Sequence, residues 1–265
     1  MMMDIKGKYA LVTGASSGIG WDISKILADL GCNLIIVARR EDKLKELEEE
    51  IIEKHKIDIK VIPVDISLEK SPDILYNKIN ELGINVDILI NNAGYGIHDY
   101  FINIPWEKEF AMLNLLIINL IHLTKLFVKD MVKRNFGFIL QTSSIGAFQP
   151  TPSYATYASA KSFVLNFGIA LNYELRKTKV RCCVLCPGVT MTEFLKTAGH
   201  KKETFFIKLT RMSSQKVAKI GIKSMLRGRS FIVPGLLNSI NARIVSILPR
   251  RLSAKIALSS MGLPE

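Results

Sequence analysis

Cysteine is scarce in this 265-residue sequence and occurs at Cys32, Cys182, Cys183 and Cys186. So few cysteines in a chain of this length do not make a disulfide scaffold, which favours a reducing, cytoplasmic setting. Cys183 and Cys186 have C-x-x-C spacing, but no second Cys or His pair stands near them, and one pair supplies only half of a zinc site. We therefore expect packed cysteines and no metal site.

Long apolar runs are also missing. The N-terminus has no basic segment followed by a long apolar stretch, and no segment reaches the ~20 uninterrupted apolar residues of a membrane span. We therefore expect neither a signal peptide nor a transmembrane helix. The hydrophobic content of 48% is enough to bury one large core, so we expect a single domain over residues 1–265.

Acidic residues are nearly absent from the C-terminal part of the chain. The net charge is +12, yet residues 1–193 contain 22 basic and 22 acidic side chains, whereas residues 194–265 contain 14 and 2. Such a block suits contact with an anionic membrane surface or an acidic carrier protein. It equally suits an ordinary solvated face. We expect no nucleic-acid partner.

Short apolar segments alternate with helix-like stretches, as in a parallel sheet whose strands are buried on both faces. The predicted strands are Lys8–Val12, Asn33–Ala38, Asp58–Val64, Val86–Ile90, Phe138–Thr142, Val180–Leu185 and Ser230–Val233. The predicted helices are Ile19–Leu30, Glu41–Lys54, Leu68–Leu82, Phe110–Met131, Tyr154–Arg176 and Gln215–Leu226. This alternation predicts an α/β fold with a Rossmann-like, doubly wound parallel sheet of about seven strands in the order 3-2-1-4-5-6-7.

A glycine-rich segment, TGASSGIG at Thr13–Gly20, follows the first predicted strand. Glycines permit a tight turn and a close approach of backbone N–H groups to an anion, and the next helix adds the positive end of its dipole. The segment therefore predicts a pyrophosphate site. Its residues are Gly14, Ser16, Ser17, Gly18, Ile19 and Gly20.

Two arginines end the second predicted strand, where an acidic residue would bind the ribose 2′-hydroxyl of NAD. The guanidinium groups of Arg39 and Arg40 suit a 2′-phosphate, with Ser16 as a further donor. The sequence thus favours NADP(H) over NAD(H). The alternative is that both arginines merely begin a charged helix with Glu41 and Asp42.

Five motifs follow one another along the chain: TGASSGIG, NNAG at Asn91–Gly94, Ser144, YASAK at Tyr157–Lys161, and PGVTMT at Pro187–Thr192. In this order and spacing they resemble the short-chain dehydrogenase/reductase family over about residues 6–192. The resemblance implies a Rossmann-like fold and an oxidoreductase that acts on alcohol or carbonyl groups.

The resemblance assigns the chemistry to four residues. Tyr157 is then the catalytic acid/base, Lys161 its partner and a ligand of the nicotinamide ribose, and Ser144 a donor to the substrate carbonyl. Asn114 would hold a water in the proton relay, although Asn119 lies on the same predicted helix. Independently, the i, i+4 spacing puts Tyr157 and Lys161 on one helix face. The ammonium is expected to lower the phenol pKa from near 10 to about 7, which requires about 4 kcal/mol.

Ser143 and Tyr154 are weaker candidates for the serine and tyrosine roles. Tyr154 lies near the same helical face as Lys161, so periodicity alone does not exclude it as the acid. The spacing to Lys161 and the serine interval both favour Tyr157. We therefore interpret Tyr154 as a pocket wall.

The resemblance also implies further cofactor contacts. Asp65 and the NNAG turn would meet the adenosine side, although the turn also suits a purely structural role. Thr192, with the backbone near Thr190, would hold the nicotinamide carboxamide. The implied positions are Asp65, Asn92, Ala93, Gly94, Pro187, Gly188, Thr190 and Thr192.

The family places its variable substrate loop at residues 193–212 of this chain. The large apolar residues of that loop are Phe194, Leu195, Phe205, Phe206 and Ile207. They would line a pocket for a hydrophobic carbonyl compound or seal the loop onto the core. Residues 235–265 form an amphipathic, basic C-terminal extension, whose apolar residues have helical spacing before Pro249. That extension suits a membrane interface, a dimer contact or a lid.

These features together predict an NADP(H)-dependent oxidoreductase that reduces a ketone, aldehyde or acyl-type carbonyl to an alcohol. One alternative is reduction of a 3-oxoacyl thioester on an acidic carrier protein. The other is a non-catalytic NADP-binding regulator or scaffold. We expect a small-molecule substrate, a homodimer or homotetramer as is common in the family, and a cytoplasmic location, peripheral at a membrane if the extension meets lipid.

Overall fold

Seven parallel strands form the central sheet in this computed structural model, which describes residues 4–200 and 205–261, without the side chains of residues 205, 206 and 208. The strands of the sheet are β1 (Tyr9–Thr13), β2 (Asn33–Ala38), β3 (Ile59–Pro63), β4 (Val86–Asn91), β5 (Gly137–Thr142), β6 (Val180–Leu185) and β9 (Phe231–Ile232). Two short strands, β7 (Thr190–Met191) and β8 (Met212–Ser213), pair with each other outside it. The order β3-β2-β1-β4-β5-β6-β9 confirms the predicted topology, with β9 as the seventh strand of the sheet.

Helices follow the strands along the chain. They are α1 (Gly18–Asp29), α2 (Glu41–Ile52), α3 (Ser71–Glu81), α4 (Trp106–Leu113), α5 (Asn119–Arg134), α6 (Ala155–Glu174), α7 (Phe194–Thr197), α8 (Phe205–Thr210), α9 (Ser214–Leu226), α10 (Leu236–Ile247) and α11 (Arg250–Met261). Single 3-10 turns lie at Phe101–Asn103, Ile145–Phe148 and Leu175–Lys177. The helices cover both faces of the sheet, as crossovers between parallel strands require.

The core consists of two main layers, because successive strand residues point to opposite faces of the sheet. Val12 and Ile36 belong to one layer, with residues of α1, α2 and α9. Leu11 and Ile35 belong to the other, with residues of α3 and α5. Each fully buried aliphatic side chain of this kind contributes about 1.5–3 kcal/mol. The two layers hold the carboxyl ends of β1, β4 and β5 side by side at one edge.

The long helix predicted at Phe110–Met131 is interrupted in the structure. Five residues, Asn114–Ile118, form a π-helical turn between α4 and α5. Trp106–Arg134 is the one stretch in the described residues that is long and apolar enough to cross a membrane, by length and composition alone, and 39% of its apolar window is buried. Helices that cover a sheet meet the same criterion, and α5 contributes Leu123, Phe127 and Met131 to the core.

The four cysteines are all buried and unbridged, as their apolar surroundings predict. Cys182 and Cys183 are neighbours on β6 and belong to opposite core layers. Burial raises the pKa of the Cys183 thiol to about 12, so this group is an inert, protonated packing element at neutral pH.

Candidate active site

The glycine segment turns sharply between β1 and α1. Gly14 and Gly18 have φ values of +68° and +58°, a backbone region that glycine adopts without steric cost. A Cβ at Gly14 would lie 2.8 Å from the Ala93 Cα, and one at Gly18 would lie 2.7 Å from the Thr192 Cγ2. These glycines therefore let the turn, the NNAG segment and the PGVTMT segment approach closely.

Hydrogen bonds join the glycine turn to the NNAG segment. The Thr13 hydroxyl donates to the Ile90 carbonyl and accepts from the backbone N–H groups of Asn92 and Ala93 at 3.0 and 3.1 Å. The Asn92 amide donates to the carbonyls of Thr13 and Gly14. The structural role considered for NNAG is therefore present, and the same segment also lines the cavity described below.

Replacing Gly20 with alanine is expected to damage this turn. The new Cβ would lie 2.2 Å from the Gly14 carbonyl oxygen, so the backbone must move at a cost of about 1–3 kcal/mol. We expect Gly20→Ala to weaken dinucleotide binding about tenfold or more in a fluorescence titration. As a control, Gly83→Ala strains a positive φ far from the turn but meets nothing within 4 Å, and should lower the melting temperature without changing cofactor affinity. Equal affinities for both variants would contradict this account.

Arg39 and Arg40 lie beside the glycine turn and line the same cavity. The Arg40 Nη2 donates to the Ser16 Oγ at 3.2 Å and pairs with a Glu193 carboxylate oxygen at 3.0 Å. Arg39 pairs with Asp65 at 3.7 Å. The Arg40 guanidinium also holds the pKa of the Glu193 carboxyl below its usual range. Two guanidinium groups and a hydroxyl thus converge where a 2′-phosphate is expected.

Ser144, Tyr157 and Lys161 also line this cavity. Ser144 caps the 3-10 turn after β5, and its hydroxyl accepts from the Gly146 N–H at 3.1 Å. Tyr157 and Lys161 are one turn apart on α6, which packs against β5 and β6. The Lys161 ammonium is 4% exposed, donates to the Thr142 carbonyl at 2.7 Å and lies 5.8 Å from the centre of the Tyr157 ring.

The pKa of Tyr157 differs from the sequence-based prediction. Burial raises the pKa of Tyr157 to about 12, and a hydrogen bond with Ser144 opposes the rise. The predicted decrease to about 7 is wrong for this arrangement, because the effect of burial exceeds that of the Ser144 hydrogen bond. The Lys161 ammonium donates to the Thr142 carbonyl instead. Burial also lowers the pKa of Lys161 to about 8, so the ammonium loses its proton as the pH rises through that value.

Ser143 and Asn119, the alternatives to Ser144 and Asn114, form hydrogen bonds within the fold. The Ser143 hydroxyl donates to the Lys161 carbonyl at 2.6 Å, which fixes it away from a substrate role. The Asn119 amide donates to the Leu68 carbonyl at 2.9 Å and is buried there. Asn114 begins the π-helical turn, 9% exposed, and does not line the cavity. Its predicted water-holding role stays a prediction.

Tyr154 forms part of the cavity wall, as interpreted from the sequence. It is 3% exposed, its ring stacks on His98 with centroids 4.9 Å apart, and its hydroxyl lies 3.5 Å from the His200 Nδ1. Burial raises the pKa of Tyr154 well above the ordinary value for a phenol. Its contacts with His98 and His200 fit the role of a pocket wall.

One cavity of about 450 Å³ at the carboxyl edge of the sheet is lined by the glycine turn, the two arginines, Ser144, Tyr154, Tyr157 and Lys161. Of the predicted cofactor residues, only Gly20 is outside its lining, directly behind Gly14. Residues that the sequence did not indicate also line it: Tyr95, Gln149, Glu193, Asn238, Asn241, Ser260 and Met261. The last four belong to α10 and α11, and no motif marks them. Phe205 and Phe206, predicted to be in the substrate loop, have side chains outside the described residues.

The residues of this cavity fit a dinucleotide. The glycine turn leaves no room for a Cβ at the start of α1, where a helix N-terminus binds phosphate. A phenol and an ammonium line the same cavity, so a hydride donor and a proton donor can meet one substrate. These properties define an oxidoreductase that uses a nicotinamide dinucleotide.

Comparison with known proteins identifies the family. A short chain dehydrogenase family model matches residues 8–203. The chain therefore belongs to the short-chain dehydrogenase/reductase family.

Very-long-chain 3-oxoacyl-CoA reductases are among its relatives. The protein of Rattus norvegicus is 31% identical over 92% of this chain and 76% of its own length. The Homo sapiens protein is 31% identical over 96% of this chain and 79% of its own length. These names support reduction of a carbonyl group as the type of reaction.

Solved structures share the fold. A 7β-hydroxysteroid dehydrogenase has a TM-score of 0.87 at 20% identity, covering 97% of this chain and 98% of its own. L-Sorbose reductase from Gluconobacter frateurii, complexed with NADPH and L-sorbose, has a TM-score of 0.77 at 26% identity, covering 89% of this chain and 99% of its own. Both overlaps show that this chain shares the fold of these structures over most of its length.

Proposed function

We propose that this protein is an NADPH-dependent reductase of 3-oxoacyl thioesters with long apolar chains. The observation that carries the proposal is the presence of Ser144, Tyr157 and Lys161 in one cavity with the glycine turn and two arginines. The names of the relatives support the thioester class. In its broader form, the proposal is that the substrate is a ketone or aldehyde with a large apolar group.

Apolar side chains support the preference for a long chain. Leu195, Ile207 and Met261 line the cavity on the side of the substrate loop and the C-terminal helices. Ile207 is fully buried there. Each methylene of an acyl chain that leaves water against such a wall contributes about 0.8 kcal/mol.

The protein residues would hold and protonate the carbonyl oxygen. Bound NADPH would supply the hydride to the carbonyl carbon. The Ser144 hydroxyl would donate a hydrogen bond to the oxygen and stabilise its developing negative charge. The Tyr157 hydroxyl would give that oxygen its proton, which completes the alcohol. Lys161 would orient Tyr157 and bind the nicotinamide ribose.

The raised pKa of Tyr157 supports the reductive direction. With a pKa of about 12, the phenol is protonated throughout the physiological pH range. Reduction needs a proton donor at this position, whereas oxidation of an alcohol needs the phenolate. The protonated phenol thus suits the donor role that reduction requires.

A substrate panel tests the proposed function. NADPH oxidation is followed by absorbance with short and long 3-oxoacyl-CoA thioesters, a simple cyclic ketone and an aromatic aldehyde. We expect kcat/KM to rise with acyl length by up to about threefold to fourfold per buried methylene. Preference for the cyclic ketone or aldehyde would contradict the thioester assignment. No turnover across the panel together with tight NADPH binding would favour a non-catalytic regulator.

Two further expectations accompany this function. The family commonly forms homodimers or homotetramers, and we propose the same here. We also propose a cytoplasmic location. Sedimentation of the purified chain and fractionation of cells test these two expectations.

A further inference from the structure

Helix α10 carries a stripe of exposed aliphatic side chains. The exposed fractions are 76% for Leu236, 51% for Leu237, 43% for Ile240, 48% for Ile244 and 84% for Ile247. At about 100° per residue, these five positions fall within an arc of about 100° on the helix surface. We call this set the α10 stripe. Large aliphatic groups grouped in this way on a surface mark an interaction site.

The opposite side of α10 faces the protein. Asn238, Ala242 and Val245 are at most 2% exposed, and the Asn238 amide donates to the carbonyls of Thr210 and Pro234. Asn238 and Asn241 also line the active-site cavity. The α10 stripe is therefore separated from the cavity by about one helix diameter, ~10 Å.

Helix α11, which follows Pro249, also carries exposed aliphatic side chains. Leu252 and Ile256 are 45% and 43% exposed, and Arg251 and Lys255 are exposed beside them on the same helix. Arg243 borders the α10 stripe, since it lies next to Ile244 and one turn from Ile247. Basic groups thus flank apolar groups on both helices, the pattern of helices that lie in a membrane interface.

Charge decides between the candidate partners of this surface. From residue 205 to residue 261 the sequence contains no acidic residue. On α10 and α11 its basic residues are Arg243, Arg250, Arg251 and Lys255, and all four are exposed. A second copy of the chain, docked through these two helices about a two-fold axis, would bring these like charges together, and neither helix supplies a counter-charge. An anionic lipid surface offers both an apolar phase and negative charge.

We propose that the α10 stripe, together with Leu252, Ile256 and their flanking basic residues, docks this protein on the surface of an anionic lipid bilayer. The aliphatic side chains enter the acyl boundary and the arginines and Lys255 meet the lipid headgroups. Docking brings the cavity wall at Asn238 and Asn241 close to the membrane, which shortens the path of an apolar substrate from lipid to cavity. The proposal concerns the surface and does not depend on which carbonyl compound the enzyme reduces.

Vesicle co-sedimentation of the full chain tests this proposal. The probes are phosphatidylcholine vesicles with and without phosphatidylserine. We expect binding to the phosphatidylserine vesicles that weakens as salt rises, because the Debye length falls to about 3 Å at 1 M. We expect Leu236→Ser with Ile247→Ser to weaken vesicle binding about tenfold or more, since two of the most exposed side chains are shortened. Arg250→Gln with Arg251→Gln and Lys255→Gln should weaken it by a similar factor.

Matched control variants lie near the opposite edge of the sheet. Ile52 ends α2 and is 54% exposed, and Leu68 follows β3 and is 62% exposed. Ile52→Ser with Leu68→Ser changes the same two residue types at exposed positions and should leave vesicle binding unchanged. Lys54→Gln with Lys56→Gln and Lys70→Gln removes three positive charges, as the basic test variant does, and should also leave vesicle binding unchanged. Circular dichroism and NADPH affinity of each variant report whether the fold is retained.

Several outcomes would overturn the proposal. They are no binding of the unaltered chain to phosphatidylserine vesicles, unchanged binding by either test variant, or equal losses in the controls. Loss of self-association in the Leu236→Ser, Ile247→Ser variant without loss of vesicle binding would show that a second copy covers the stripe. Because vesicle binding is measured without substrate, failure here leaves the proposed reductase function standing.

Discussion

Tyr157→Phe is expected to abolish turnover while leaving NADPH bound. The substitution removes one oxygen atom from a ring that lines the cavity between Ser144 and Lys161, so packing is nearly unchanged. Loss of a positioned proton donor costs about 10²–10⁴-fold in rate. We expect kcat to fall by that factor, with the NADPH dissociation constant within about twofold of its original value. Steady-state kinetics and a fluorescence titration measure the two quantities.

Tyr154→Phe is the matched control for this prediction. Tyr154 lies three residues earlier, its ring contacts Tyr157 edge-on at 5.8 Å, and its hydroxyl points to His200. Removing that hydroxyl changes the cavity wall by the same single atom. We expect kcat to change by less than about fivefold, a small part of the loss expected at Tyr157. If the Tyr154 variant loses activity and the Tyr157 variant keeps it, the two roles are reversed.

Replacing both Arg39 and Arg40 with glutamine is expected to remove the preference for NADPH. Both guanidinium groups line the cavity, and hydrogen bonds to charged groups contribute about 1.5–3 kcal/mol each. The ratio of kcat/KM for NADPH to that for NADH should fall about 100-fold or more, mainly through a higher KM for NADPH. Initial rates with both cofactors at saturating substrate give this ratio.

The ratio of kcat/KM for NADPH to kcat/KM for NADH is the quantity that reports on these arginines. Arg40 also holds Ser16 and Glu193, so its loss can loosen the loop around either cofactor. Such loosening affects NADPH and NADH alike and cancels in the ratio. Lys43→Gln is the charge control, because Lys43 lies on α2 outside the cavity. An unchanged ratio in the double variant would mean that the arginines only begin a charged helix.

Local signals explain what the sequence could predict. The alternation of strands and helices follows from the apolar segments, and the parallel, doubly wound sheet follows from the crossover rule. The glycine turn follows from a motif between a strand and a helix. The i, i+4 spacing of Tyr157 and Lys161 is a property of any helix. All of these depend on residues close together in the chain or on a general rule of sheet topology.

Features that depend on the folded environment were missed. The π-helical turn at Asn114–Ile118 inserts an extra residue into a helix whose apolar periodicity looks continuous. The pKa of Tyr157 depends on burial and on the hydrogen bond with Ser144. Asn238 and Met261 reach the cavity only because α10 and α11 fold back over it. No residue spacing in the sequence predicts that these two helices fold back over the cavity.

The ion pair between Arg40 and Glu193 couples two parts of the molecule that are 153 residues apart in sequence. Glu193 directly precedes α7, and Arg40 directly precedes α2. An anion that takes Arg40 as its partner weakens the attachment of the segment at Glu193, and thermodynamic reciprocity requires that the protein bind this anion more tightly when the segment is detached. The affinity for such an anion and the freedom of the segment at Glu193 are therefore one linked equilibrium.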